Sequence, residues 1–293
     1  MPSMIQAGLM DELGFDTWIY ELVPVEKALE RLAAFGITHG EYSFEHLSGF
    51  EKEGKMWEKA RELKELVSSL NVRMVQMHAP FGDLDKELGS GDENMKEKAI
   101  GRARRWLDYA SLLGVDILVM HTVLVEQDPK LDSISVARRM EESNIEVFSR
   151  LSKHAKDLGV KIAIENRLES IFGCKIPDLL EVIKGDPDSL GICLDTGHAN
   201  VNAIDPSVAA EQAGDFLIAT HVHDNDGSGD QHLPPLMGNI DWAAFRRALE
   251  KIRYEGPLIV EIPGSNSDMR VCDNRLLIAR VSAKAWLSGQ HSL

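Results

Sequence analysis

Positive charge is scarce in this sequence: 32 Lys and Arg stand against 47 Asp and Glu, a net charge of −15. A phosphate backbone is held by neutralising it with Lys and Arg, so this balance argues against DNA or RNA as substrate. Cysteine is sparse too. Cys174, Cys193 and Cys272 lie far apart with no CxxC, which argues against a disulfide framework and fits reduced thiols in the cytoplasm. No window approaches the ~18 consecutive apolar residues of a membrane span, and the N-terminal residues lack the basic and apolar blocks of a secretory signal. No GxGxxG follows the first apolar run, which counts against a dinucleotide-binding open sheet. No Pro/Gly/Ser-rich linker, low-complexity tract or close internal repeat divides the chain, so a single domain over 1–293 is expected.

What is present is a rhythm. Short apolar runs at 4–9, 38–43, 72–78, 115–121, 160–165, 190–195, 216–221 and 258–261 read as strands buried on both faces, as in a parallel sheet under helices. Between them, Met56, Ala60, Leu63, Val67 and Leu70 recur at helical spacing. Residues 99–113 and 136–158 behave alike, the second long enough to contain a break. Gly36, Gly114 and Gly159 stand where helix C-caps are wanted, and Asp205 and Asp241 where helices begin. Eight strand–helix units in this length predict an α/β fold, the (β/α)8 TIM barrel.

The ends of these runs carry the chemistry. The last six terminate in His78, His121, Glu165, Asp195, His221 and Glu261, spaced 26 to 44 residues apart. In a (β/α)8 barrel all strand C-termini ring one mouth, which is where active sites lie. Carboxylates and imidazoles gathered there are costly unless something positive binds among them, and a divalent metal is the simplest answer. Between His221 and Trp242 the chain adds Asp230 and His232, two further natural ligands, within a loop that reads as acidic.

These segments (HAP at His78, MHT at His121, AIEN at Glu165, CLDTGHAN at Asp195, HVHDND at His221, DQH at Asp230, IVEIPG at Glu261) resemble the xylose isomerase-like barrels. That group includes sugar and sugar-phosphate isomerases and epimerases, inosose dehydratases and apurinic-site endonucleases of the endonuclease IV type. For the epimerase-like members the resemblance implies one divalent ion, manganese above magnesium, cobalt or zinc, on Glu165, Asp195, His221 and Glu261. For the endonuclease type it implies up to three zinc ions on nine ligands, adding His78, His121, His198, Asp230 and His232, and all nine are present. The acidic loop and the net charge weigh toward sugar chemistry over abasic DNA; a dehydratase or other lyase of the same barrel is the remaining variant.

Under the epimerase-like resemblance, Glu165 and Glu261 flank a keto-sugar or related polyol derivative as an acid/base pair, one removing a proton and the other returning it, with the metal stabilising the enediolate. His78, His121, His198, Asp230 and His232 are expected to bind substrate or a second metal, and Asn166 and Arg167 weakly to touch substrate. His223 is expected behind the ligands, Glu41 in a surface salt bridge rather than at the mouth it could reach from the end of strand two, Trp18 and Phe81 as alternatives between apolar wall and core, and Trp242, Met74, Met77 and Met120 in the core. Residues 91–97 read as an acidic helix start. The partner implied is a small sugar, free rather than phosphorylated, with neither nucleic acid nor membrane; a homodimer or homotetramer follows from the resemblance alone.

Overall fold

The structure is a computed structural model describing residues 13–126, 131–168, 170–264 and 268–289. Eight parallel strands close a barrel in sequential order: β1 Leu13–Asp16, β2 His39–Tyr42, β3 Arg73–His78, β4 Ile117–His121, β5 Lys161–Glu165, β6 Leu190–Asp195, β7 Leu217–Val222 and β8 Leu258–Val260. β8 pairs with both β7 and β1 to complete the circle. Helices after the strands cover the outside, burying stripes such as Met56, Ala60, Leu63 and Val67 or Ala99, Ala103, Trp106 and Leu107. The expected (β/α)8 barrel is what forms, because each apolar run needs cover on its outer face.

One strand was misplaced. The apolar run at 4–9 lies outside the described residues, and the barrel's first strand is the short, fully buried Leu13–Asp16. The helical pattern at 136–158, long enough to contain a break, contains none: Ser133–Leu158 runs unbroken for 26 residues. It contains neither Gly nor Pro, and the Asn144 amide caps the backbone of Val123 in the loop after β4. The helix ends follow the sequence signals. Asp92, Asp205 and Asp241 accept first-turn amides, while Gly114 and Gly159 take the left-handed C-cap conformation. Among the described residues no helix is long and apolar enough to cross a membrane.

Side-chain alternation positions the site. Two residues below His121, Glu165, Asp195 and His221, the small side chains of Val119, Ala163, Cys193 and Ala219 pack together beneath the mouth. In-register pairing of His121 with Glu165 and of Asp195 with His221 brings these imidazoles and carboxylates to one level.

Candidate metal centre and substrate cavity

Glu165 lies at the centre of the mouth, 1% exposed. Its Oε2 stands 3.2 Å from His78 Nε2, 3.4 Å from His121 Nε2 and 3.4 Å from His221 Nδ1, and its Oε1 3.1 Å from His198 Nδ1. Burial alone would raise this carboxyl, but the charges of His121 and His221 with hydrogen bonds from His121 and His198 hold it well below the ordinary range. It is therefore ionised at neutral pH. Asp195 is likewise lowered, against its burial, by His198 and His223.

His221 Nδ1 is the meeting point. It faces Glu165 Oε2 at 3.4 Å, Glu261 Oε2 at 3.7 Å and Asp195 Oδ2 at 4.0 Å, yet has no hydrogen-bond partner among the described residues. Ligand atoms bonded at ~2.1 Å to one ion stand roughly 3–3.5 Å apart, so a small contraction would seat a divalent cation among these four. An orphaned, fully buried nitrogen ringed by three carboxylates fits a metal better than it fits protein alone.

The remaining imidazoles extend the cluster in two directions. His78 and His121 approach Glu165 from β3 and β4, forming one candidate triad; Glu165, Asp195 and His198 form another. On the other side His232 stacks on His223 at 3.9 Å, its Nε2 3.0 Å from Asp230 Oδ2 and its Nδ1 3.7 Å from Glu261 Oε2. His232 adopts φ 46°, in the left-handed region that few residues other than glycine take. Burial would lower the His78 and His232 imidazoles, but hydrogen bonds to Glu165 and to Asp230 lift both to about 9.

Three expectations are corrected. Glu41 is no surface residue: it is fully buried on β2, with Oε2 2.9 Å from His221 Nε2. Arg167 does not reach the cavity, because its guanidinium binds Asp85 Oδ2 at 3.0 Å and the Thr122 carbonyl at 2.9 Å. Asn166 spends both ends of its amide on the Asp195 backbone. The acidic loop is also less exposed in charge than its letters suggest. Asp224 accepts from the Trp242 indole at 2.7 Å and Asp226 closes a turn on Ser228, leaving Asp230 to face the cavity. Trp242 is core, as are Met74, Met77 and Met120.

Above the cluster is a cavity of about 270 Å³, lined by His78, His121, Glu165, His198, His232 and Glu261 on the metal side. Trp18, Phe81, Ser43, Glu45, Asp16 and Asp230 complete it, and among the described residues no Lys or Arg does. Trp18 meets His232 edge-on at 5.0 Å, and Phe81 lies 5.3 Å from both His78 and His121, so two aromatics close the wall. Asp16, unrecognised in the sequence, is buried at the end of β1; burial and the charges of Glu41, Glu261 and Glu45 raise its carboxyl well above the ordinary range. Asp85, three residues past Gly82, carried no sequence signal; it bridges Arg167 and, at 3.5 Å, His121 Nδ1.

Gly197 shows how tightly the site is built. A Cβ there would stand 1.9 Å from His223 Cε1, while the His223 ring is fixed by Asp195 Oδ2 at 3.0 Å and by the stacked His232. Gly197→Ala is expected to cost about 1–3 kcal/mol by overpacking, read as a lower urea midpoint.

A parallel eight-stranded barrel with carboxylates and imidazoles converging at its C-terminal mouth defines an α/β barrel whose mouth gathers groups that could hold a metal ion. The chain belongs to the xylose isomerase-like TIM barrel family, whose pattern matches residues 29–288. It is 32% identical over 205 residues to an uncharacterised protein of Methanocaldococcus jannaschii, covering 68% of this chain and 67% of that one. An L-ribulose 3-epimerase of Methylomonas sp. (strain DH-1) is 32% identical over 131 residues, the match covering 43% of each chain. Among solved structures, a D-tagatose 3-epimerase-like protein superposes with a TM-score of 0.72 at 26% identity, over 93% of this chain and 98% of that one.

Proposed function

We propose that the protein is a divalent-metal-dependent sugar epimerase or isomerase acting on a free keto-sugar or related polyol derivative, with Glu165 and Glu261 as the acid/base pair. The observation that carries this reading is the pair itself. Glu165 at the end of β5 and Glu261 just past β8 approach His221 Nδ1 from different strands, and both line one cavity. The likeness to named 3-epimerases supports the same chemistry.

A divalent ion, manganese by preference, held by Glu165, Asp195, His221 and Glu261 would supply a Lewis acid for the substrate carbonyl and its neighbouring hydroxyl. The protein's own groups do the rest. Glu165, held ionised by its histidines, takes the proton from the carbon beside the carbonyl, and Glu261 returns one on the other face, inverting the centre. If a single group shuttles the proton between neighbouring carbons, the outcome is aldose–ketose isomerisation. His198, Asp230 and His232 offer hydrogen bonds to sugar hydroxyls at the rim, while Trp18 and Phe81 exclude water. The absence of Lys and Arg from the cavity lining, among the described residues, favours an unphosphorylated substrate and speaks against a DNA strand.

One observation favours a second reading. The assembled triads, including His78–His121–Glu165 and Glu165–Asp195–His198, are what a multi-zinc phosphodiesterase acting on abasic DNA would also need. The test is incubation with Mn²⁺ and a panel of ketoses in deuterated water. Substrate-dependent deuterium uptake at one carbon is expected. No uptake, together with three zinc ions per chain and nicking of abasic DNA, would reverse the ranking.

A further inference from the structure

Beneath the cavity floor, Glu41 and Gln76 form a buried pair with His221 that the acid/base scheme does not use. Glu41, Gln76 and His221 are all fully buried. Glu41 Oε2 accepts from Gln76 Nε2 at 2.6 Å and stands 2.9 Å from His221 Nε2. Its other oxygen, Oε1, has no hydrogen-bond partner among the described residues, nor has His221 Nδ1 on the far side of the ring. No Lys or Arg pairs with Glu41 among the described residues; the one group in contact able to carry positive charge is the imidazole.

A carboxylate desolvated this completely is destabilising unless it serves a charge or a strong donor. A hydrogen bond from Nε2–H meets that need and has a geometric consequence. It fixes the tautomer with the proton on Nε2, turns the ring, and presents the Nδ1 lone pair to Glu165, Asp195 and Glu261. A carboxylate behind a metal-bound imidazole also makes the ring a stronger donor. We propose that Glu41 is a positioning residue for the metal centre: through His221 it selects Nδ1 as the ligating nitrogen and strengthens its bond to a divalent ion, with Gln76 holding the carboxylate in place. This rests on the metal-dependent reading above and adds a residue to it.

The two substitutions at Glu41 separate charge from hydrogen bonding. Glu41→Gln can keep an oxygen facing His221 and Gln76 while losing the charge, whereas Glu41→Ala loses both. The measurement is calorimetric titration of Mn²⁺ into chelator-stripped full-length protein, with far-UV circular dichroism and melting of each metal-free variant as the fold control. Glu41→Ala is expected to weaken Mn²⁺ binding about 10- to 100-fold, and Glu41→Gln by a smaller factor that still exceeds twofold. A packing role alone would lower the melting temperature of the metal-free variants and leave the dissociation constant unmoved; that outcome overturns the proposal. If Glu41→Ala does not fold, Glu41→Gln decides, and binding within twofold of wild type overturns it. Wild-type protein that takes up no divalent ion would remove the metal reading itself, a result distinct from tight binding that ignores Glu41.

Discussion

Glu165→Gln should lower ketose-dependent deuterium exchange by about a hundred- to ten-thousand-fold, the range of a lost general base, while leaving the barrel folded. The size follows from where the carboxylate sits. Four imidazole nitrogens lie within 3.4 Å of its two oxygens, so it is ionised despite full burial, and an isosteric amide can neither take a proton nor anchor that charge. Glu261→Gln should also impair turnover, with a different signature. Glu261 sits at the cavity wall and lies 3.7 Å from both His221 Nδ1 and His232 Nδ1. If Glu261 only returns the proton, its amide variant should still exchange deuterium into the substrate while forming little epimer. Exchange and epimerisation lost together in Glu261→Gln, with Glu165→Gln unaffected, would assign the first proton transfer to the other residue. Neither variant impaired would end the acid/base pair as a mechanism.

The barrel and most of its mouth were legible because two independent patterns agree. Apolar runs recur with a strand–helix period, and six of them end in ligating residues. What stayed hidden has physical causes. The first strand is only four residues, and the run at 4–9 drew attention from it. That error concealed Asp16, which extends the rule of acidic strand ends to β1. Glu41 looked like surface because a lone charged letter in a short strand carries no sign of its partners; its Gln76 and His221 contacts lie 35 and 180 residues away. Arg167, two residues past Glu165, looked poised for substrate, but the carboxylate that takes its guanidinium, Asp85, comes from a helix 82 residues earlier. Sequence spacing reveals which strand end a residue occupies. It does not reveal which long-range partner consumes it.

Chelation should abolish activity, and Mn²⁺ should restore it together with thermal stability in a pH-dependent way. An ion at a hundred times its dissociation constant stabilises the folded state by about 2.7 kcal/mol, or a rise in melting temperature of about 5 °C for a chain this long. Without the ion, protons on the imidazoles balance the carboxylates: His78 and His232 are lifted to about 9, and His198 and His221 lie well above the ordinary value. A histidine raised in the folded state contributes stability that is full below the unfolded value of about 6.5 and lost as pH rises through the folded value. The metal-free protein should therefore lose stability between pH 6.5 and 9. Ion binding through His221 requires its unprotonated ring and releases its proton, so the melting-temperature gain from Mn²⁺ should grow across the same window. Melting curves at pH 6.5, 7.5 and 9, with and without Mn²⁺, measure both slopes. A Mn²⁺ gain that shrinks with rising pH would mean that the ion does not bind through His221.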